Sequence, residues 1–265
     1  MMRESNGEDS RVVARIVRSK DGGPIRRIIN GRSRRRTGTF ISHKAGLRAM
    51  PWDSFQGELP VLFCAEVSSG VATLLAQPHR LEMRIIEQKR PLIYFPDLEL
   101  GVDDQFLDEL RAGQPFASVA ASPRFRTQSA KTCRKIIVEV KRDNDPRRND
   151  PMYIRKLELA NEIYRRLNVP FFIVDSDRIT AEEIRRFQSL TIDRHARLEL
   201  LDYDALRGIL SVGGEKQPYS RVVAALGGGP VGQAKAAALQ VKRVISMDLR
   251  SNLIDDTDVN IIVLH

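Results

Sequence analysis

The sequence predicts an α/β fold, a mixed sheet with helices on both faces, followed by a smaller C-terminal unit. Three observations predict it. Three strand-like segments precede one long amphipathic helix and a short apolar strand follows it, the order β-β-β-α-β. After residue 178 the pattern changes to several short helical stretches closed by two apolar runs. The chain has 265 residues and is 42% hydrophobic, which suits a packed core and two domains and excludes global disorder.

Element by element, residues 1–30 are polar and charged and read as an arm or short β elements. "SRRRTGTFISHKAG" has turn residues and alternation, which predicts loops or a small hairpin. In "SFQGELPVLFCAEV" the apolar spacing is helical from Leu59 to Val67, with Pro60 setting the start near Gly57 or a kink. Leu81, Met83 and Ile85 alternate after Pro78 and predict a strand, as do "RPLIYFPDLEL" and "RKIIVEVK". The connection between those last two is too long for a hairpin, and predicts a short helix around Phe106 to Leu110 and then a mobile loop. Ile154, Leu157, Ile163, Tyr164 and Leu167 form the stripe of the long helix, and "PFFIVDSD" is a short buried strand. Beyond it, "TAEEIRRFQSL", "DYDALRGIL", "PYSRVVAAL" and "VGQAKAAALQVKR" predict helices, and "VISMDLRSNLIDDTDVNIIVL" a hairpin. That order is winged-helix-like. The expected organisation is a basic N-terminal arm over 1–56, a core over 57–178 and the winged-helix-like unit over 179–265.

The formal net charge is +9, and through Glu58 there are 13 Lys and Arg against 6 acids, so an anionic partner is favoured. Two cysteines, Cys64 and Cys133, are too few for a disulfide framework and have no metal-ligand spacing, even with His43 and His79. No apolar run reaches the roughly 18 residues of a membrane span, and the N-terminus has no signal-peptide core. A reduced, cytoplasmic protein with no membrane partner is expected.

The residues that carry chemistry lie in "KIIVEVKRDNDP". On a strand, Glu139 and Lys141 share one face, and two buried charges there must be paired or bind a ligand. With Pro96 and Asp97 roughly 40 residues upstream, they make the pattern PD…ExK. Carboxylates on adjacent strands can converge on one or two Mg²⁺ ions, with the Val140 carbonyl completing the ligand set. Such a metal activates water, and Lys141 orients the nucleophile or neutralises the transition state. An edge strand with an exposed salt bridge is the alternative reading.

Four blocks then resemble the TnsA family, the restriction-endonuclease-like subunit of heteromeric transposons, over residues 31–180. They are "NGRSRRRTGTFISHKAG", "GELPVLFCAEVSSGVATLLAQPHRLEM", "FPDLEL" with "IIVEVK", and "IRKLELANEIYRRLNVPFFIVDSDRI". The resemblance implies a restriction-endonuclease-like mixed sheet with Glu58, Asp97, Glu139 and Lys141 in the active site. It further implies Mg²⁺, with Mn²⁺ as a substitute, and nicking of the 5′ ends of a transposon. The implied partners are DNA, a separate DDE transposase and an AAA+ regulator, of the TnsB and TnsC type, in a bacterial or phage-associated setting. Pro60, two residues after Glu58, leaves Glu66 and Glu82 as alternative third carboxylates.

Other signals are weaker. Arg32, Arg34, Arg35 and Arg36, with His43 and Lys44, suit phosphate tracking near the cleavage site. "GGGPVG" imitates a dinucleotide-binding loop, but too little chain follows it for a parallel sheet, so a helix–helix turn is expected. Lys235, Lys242 and Arg243 beyond it are candidates for contact with DNA or a partner. A stand-alone restriction-like, repair or phage nuclease and a non-catalytic winged-helix DNA-binding protein remain the alternative functions.

Overall fold

A computed structural model of the protein describes residues 12–26, 36–85 and 90–262. The expected arginines Arg32, Arg34 and Arg35 lie outside the described residues. At the centre is a four-stranded mixed sheet of β4 (Val71–Ala76), β7 (Leu98–Val102), β8 (Arg134–Lys141) and β9 (Phe171–Asp175), in that order. β4, β7 and β8 are antiparallel neighbours, and β9 runs parallel to β8. The parallel step needs a crossover, which α4 (Pro151–Arg166) supplies. Asp150 accepts from the Met152 amide and Pro151 opens the helix, so α4 starts sharply.

Alternation along β8 divides the core in two. Ile136, Val138 and Val140 pack with α1 (Glu58–Val67) and α3 (Phe116–Ala121). Ile137 packs on the opposite face with Leu159, Ala160, Ile163 and Tyr164 of α4. That second core also takes Leu81 and Met83 of β5 (Arg80–Ile85) and Tyr94 of β6 (Leu92–Tyr94), which with β1 (Val12–Val17) form a separate antiparallel sheet. The expected hairpin is β2 (Gly38–Ser42) and β3 (Arg48–Trp52). Helices cover both faces of the mixed sheet, as expected, but its strands differ from the expected set: the strand after Pro78 is β5 of the separate sheet, "RPLIYFPDLEL" divides into β6 and β7, and β4 is an addition.

Helix α1 starts at Glu58 with Gly57 as its N-cap, as expected, and Pro60 sits inside its first turn, because first-turn amides have no intrahelical acceptor and a missing N–H costs nothing there. One local expectation is corrected. The segment expected as a short helix and mobile loop holds two helices, α2 (Asp104–Arg111) and α3, and a fully buried arginine. Arg124 is 0% exposed, donates to both Glu109 oxygens at 2.9 and 3.0 Å and to the Val119 carbonyl at 3.1 Å. Gly70 leaves it room, since a Cβ there would stand 2.9 Å from Arg124 Nε.

After α5 (Ala181–Ile192) come α6 (Leu200–Gly213), β10 (Lys216–Pro218), α7 (Tyr219–Ala225), α8 (Gly229–Val241), β11 (Ile245–Met247) and β12 (Asp258–Ile261). β12 pairs antiparallel with both β11 and β10; the third strand is an addition to the expected hairpin. "GGGPVG" is the turn from α7 into α8, with Gly227, Gly228 and Gly229 at φ of 107°, 69° and 50°. The boundary near residue 178 divides the chain but not the core: Val222, Leu239, Ile245 and Val259 belong to the same cluster as α1. Polar bonds run along that seam: Gln240 donates to the Val67 carbonyl at 2.8 Å, Ser69 and Ser246 share a 2.6 Å bond, and Asn260 donates to the Arg124 carbonyl at 3.1 Å. Among the described residues, no helix is long and apolar enough to cross a membrane.

Arg124→Ala leaves Glu109 and Asp103 without their buried cation. A stability loss of about 3 kcal/mol or more is expected in urea unfolding followed by circular dichroism.

Candidate active site

The register of β7 on β8 pairs Leu98 with Val138, and one step further it sets Asp97 across from Glu139. There the backbone ladder ends and a side chain continues it: Asp97 Oδ2 accepts from the Val140 amide at 2.7 Å. Glu58 comes from another direction, as the first residue of α1. It is only 9% exposed, and its Oε2 accepts from the Asp53 amide at 3.0 Å. Glu58, Asp97, Glu139 and Val140 line one cleft of about 690 Å³.

Glu139 is held on both oxygens. Oε2 accepts from the Tyr94 hydroxyl at 2.6 Å, and Oε1 from the Tyr153 hydroxyl at 2.5 Å. Lys141 Nζ is 2.8 Å from Glu139 Oε1 and 3.5 Å from Asp145 Oδ2, and it donates to the Tyr153 hydroxyl. The strand thus carries two buried charges on one face because each is partnered. The salt bridge of the alternative reading is present, but it is buried and faces a cleft.

Burial and then the charges of Glu139 and Glu58 raise the Asp97 carboxyl well above its ordinary value. Burial pushes Glu58 from 4.5 up to about 7, against the Asp53 amide and with the Asp53 and Glu139 charges. Three acids therefore compete for too little positive charge. Glu66 and Glu82 are not among them. Glu66 is buried and accepts from Ser42 Oγ and the His43 amide, both at 2.6 Å, which ties the β2–β3 hairpin to α1. Glu82 pairs with Arg80 at 2.5 Å on β5.

The sequence reading missed a different acidic group. Asp143, Asp175 and Asp177 have carboxylate oxygens all within 4.8 Å of one another, the only three-acid group so close among the described residues. The parallel pairing of β8 and β9 brings their acidic ends together, a contact that separations of more than 30 residues conceal. Arg142, Arg148 and Arg178 pair with these acids, which makes them an ion-paired surface group.

The expected basic contacts separate. Arg36 is exposed and lines the cleft. Lys44 is corrected: its Nζ donates to the Ala65 carbonyl at 2.9 Å and to that of Ser68, closing the C-terminal end of α1. Burial lowers it to about 7, and the length of α1 puts it roughly 15 Å from Glu58. His43 stacks on His195 with centroids 6.4 Å apart. Lys235 is ion-paired with Asp202 at 2.6 Å, and Arg243 donates to the Ser69 carbonyl at 2.7 Å, so both are engaged within the fold. Lys242 is exposed. The cleft's further cations are Arg26, Arg142, Arg147 and Lys156. Arg142 follows the ExK strand directly, Arg147 lies six residues beyond Lys141, and Lys156 lies one helical turn beyond Tyr153. That spacing was the available signal. Cys64 lies in the core and His79 bonds Tyr164 at 2.6 Å, so neither joins a metal site.

No protein-family model matches the chain, and no curated protein matches it.

The raised Glu58 carboxyl has a consequence for stability. Its contribution is present below about pH 4.5 and is lost as the pH rises through about 7, since the unfolded chain gives up the proton first. Glu58→Gln removes that loss, and is expected to gain on the order of 2 kcal/mol over the parent at pH 8 and little at pH 4. Thermal or urea unfolding at both pH values checks this.

Proposed function

We propose that this chain is a Mg²⁺-dependent DNA endonuclease of the restriction-endonuclease-like PD-(D/E)xK class, similar to the TnsA family. It nicks the 5′ ends of a transposon beside a separate DDE transposase. The observation that carries the reading is one cleft holding Glu58, Asp97 and Glu139, with Lys141 bonded to Glu139. The helix-strand-helix-helix-strand-strand order from α6 to β12 supports a winged helix at the C-terminal end.

The donor types fit the metal, and a bound ion would draw the three carboxylates closer than they stand, since their oxygens do not all lie within 4.8 Å of one another. Three carboxylates and the Val140 carbonyl are hard oxygen donors of the kind Mg²⁺ takes, and Mn²⁺ accepts the same set. The raised proton affinity of Glu58 and Asp97 marks a place where added positive charge is favourable. When bound, the metal would supply an activated water and charge stabilisation at the phosphate. Lys141 is buried beside Glu139 rather than in the cleft lining, and in this reading its ammonium acts on the scissile phosphate or the attacking water from the Glu139 side. Arg36, Arg147 and Lys156 around the acidic floor hold the neighbouring phosphates in register without reading sequence.

Specificity is then borrowed. Helix α8 is rich in alanine, and its Lys235 is engaged by Asp202. Leu200, Leu201 and Val212 on α6 are 83%, 74% and 80% exposed, which supports a surface for the transposase or the AAA+ regulator.

The test is a nicking assay on supercoiled DNA carrying the transposon ends, with transposase, regulator and Mg²⁺. Asp97→Ala and Lys141→Ala are each expected to slow nicking at least about a hundredfold while DNA binding persists. Variants that nick like the parent sink the catalytic reading. Site-specific cutting by the chain alone favours a stand-alone nuclease, and binding without any cleavage favours a non-catalytic DNA-binding protein.

A further inference from the structure

Tyr153 is absorbed by neither the sequence pattern nor the ligand set, yet it touches both charges of the ExK strand. Its hydroxyl donates to Glu139 Oε1 at 2.5 Å and accepts from Lys141 Nζ. Its ring faces the same ammonium, with Nζ 4.1 Å from the centroid, and Arg147 and Lys156 stand 5.0 and 6.0 Å from it. The residue sits in the first turn of α4, where the Asp150 cap and Pro151 fix the backbone. A side chain that is rigidly mounted, bonded to two functional groups and ringed by cations is more than filler between a helix and a sheet.

We infer that Tyr153 is a positioning residue of the proposed nuclease, and this inference rests on that reading. Lys141 and Glu139 form a direct ion pair at 2.8 Å. The Tyr153 hydroxyl bridges both members of that pair. It donates to the carboxylate oxygen that Lys141 also approaches, and it accepts one of the ammonium's protons. With Tyr94 on Oε2, both oxygens of Glu139 are then aimed from behind, and the carboxylate keeps one orientation toward the cleft. The ring also lies against the ammonium, whose third partner is the more distant Asp145 carboxylate at 3.5 Å, the contact a phosphate or water would replace.

Three variants test this. Tyr153→Phe keeps the ring and loses the hydroxyl; Tyr153→Leu loses both. Tyr164→Phe removes a buried hydroxyl of the same helix that bonds His79 and touches neither Glu139 nor Lys141, so it reports a merely structural loss. Under single-turnover conditions with partners and Mg²⁺, Tyr153→Phe is expected to nick about 10- to 100-fold more slowly, with DNA affinity within about twofold of the parent. Tyr153→Leu is slower still, and Tyr164→Phe lowers the melting temperature without changing the rate. Independently of activity, Mn²⁺ alone, titrated by electron paramagnetic resonance, is expected to bind Tyr153→Phe about tenfold more weakly. Parent-like nicking and Mn²⁺ binding in Tyr153→Phe overturn the inference, as does an equal loss of rate in both Phe variants. If the parent itself does not nick, the nuclease reading fails, and the Mn²⁺ titration still decides whether Tyr153 positions Glu139.

Discussion

The bond from the Val140 amide to Asp97 Oδ2 is where fold and site meet. β7 and β8 pair through Leu98 and Val138, and at the next step a carboxylate takes the place of a backbone carbonyl. This substitution ends the strand pair and at the same time delivers an acid to the position opposite Glu139. The face on which Glu139 and Lys141 stand follows from the same pairing, because Val138 and Val140 must enter the α1 core and their neighbours must then face α4. A one-residue slip of β8 would bury the valines wrongly and lose the site together.

A cost accompanies the arrangement. Asp97 and Glu58 are buried near Glu139, and their raised proton affinities express the repulsion. The fold tolerates it because Glu139 is tied by Tyr94, Tyr153 and Lys141, and because the apolar packing on both faces of the sheet is extensive. Functional sites commonly depart from local stability in this way. The acidic floor and its basic rim are complementary demands: one suits a cation, the other a polyanion.

The C-terminal unit bears on the far end of the same helix that begins with Glu58. Gln240 takes the Val67 carbonyl while Lys44 takes those of Ala65 and Ser68, so three carbonyls at the end of α1 are satisfied by two different parts of the chain. The long connection between β7 and β8 joins this seam through Arg124, whose carbonyl accepts from Asn260 and whose guanidinium holds Glu109. Residues 101–132 are therefore structural mortar between the sheet and the C-terminal unit.

The sequence by itself determined the α/β class, the strand β8 with the helix α4 and strand β9 that follow it, and the Asp97–Glu139–Lys141 pattern. These follow from local periodicity and from short spacing along one strand, which composition alone can express. It did not decide which glutamate joins them: Glu58, Glu66 and Glu82 have similar local contexts, and only the packing of α1 against the sheet separates them. The Lys44 cap, the Lys235–Asp202 pair, the buried Arg124 and the Asp143–Asp175–Asp177 group were likewise illegible, since a charged residue in a sequence does not reveal whether its partner lies across the fold. Tyr153 is not part of the apolar stripe read from the sequence, which begins at Ile154. Tertiary structure alone turned its hydroxyl toward Glu139, because Tyr153 shares the face of α4 that carries Ala160 and Tyr164, and their burial against Ile137 and β5 fixes which way the first turn faces.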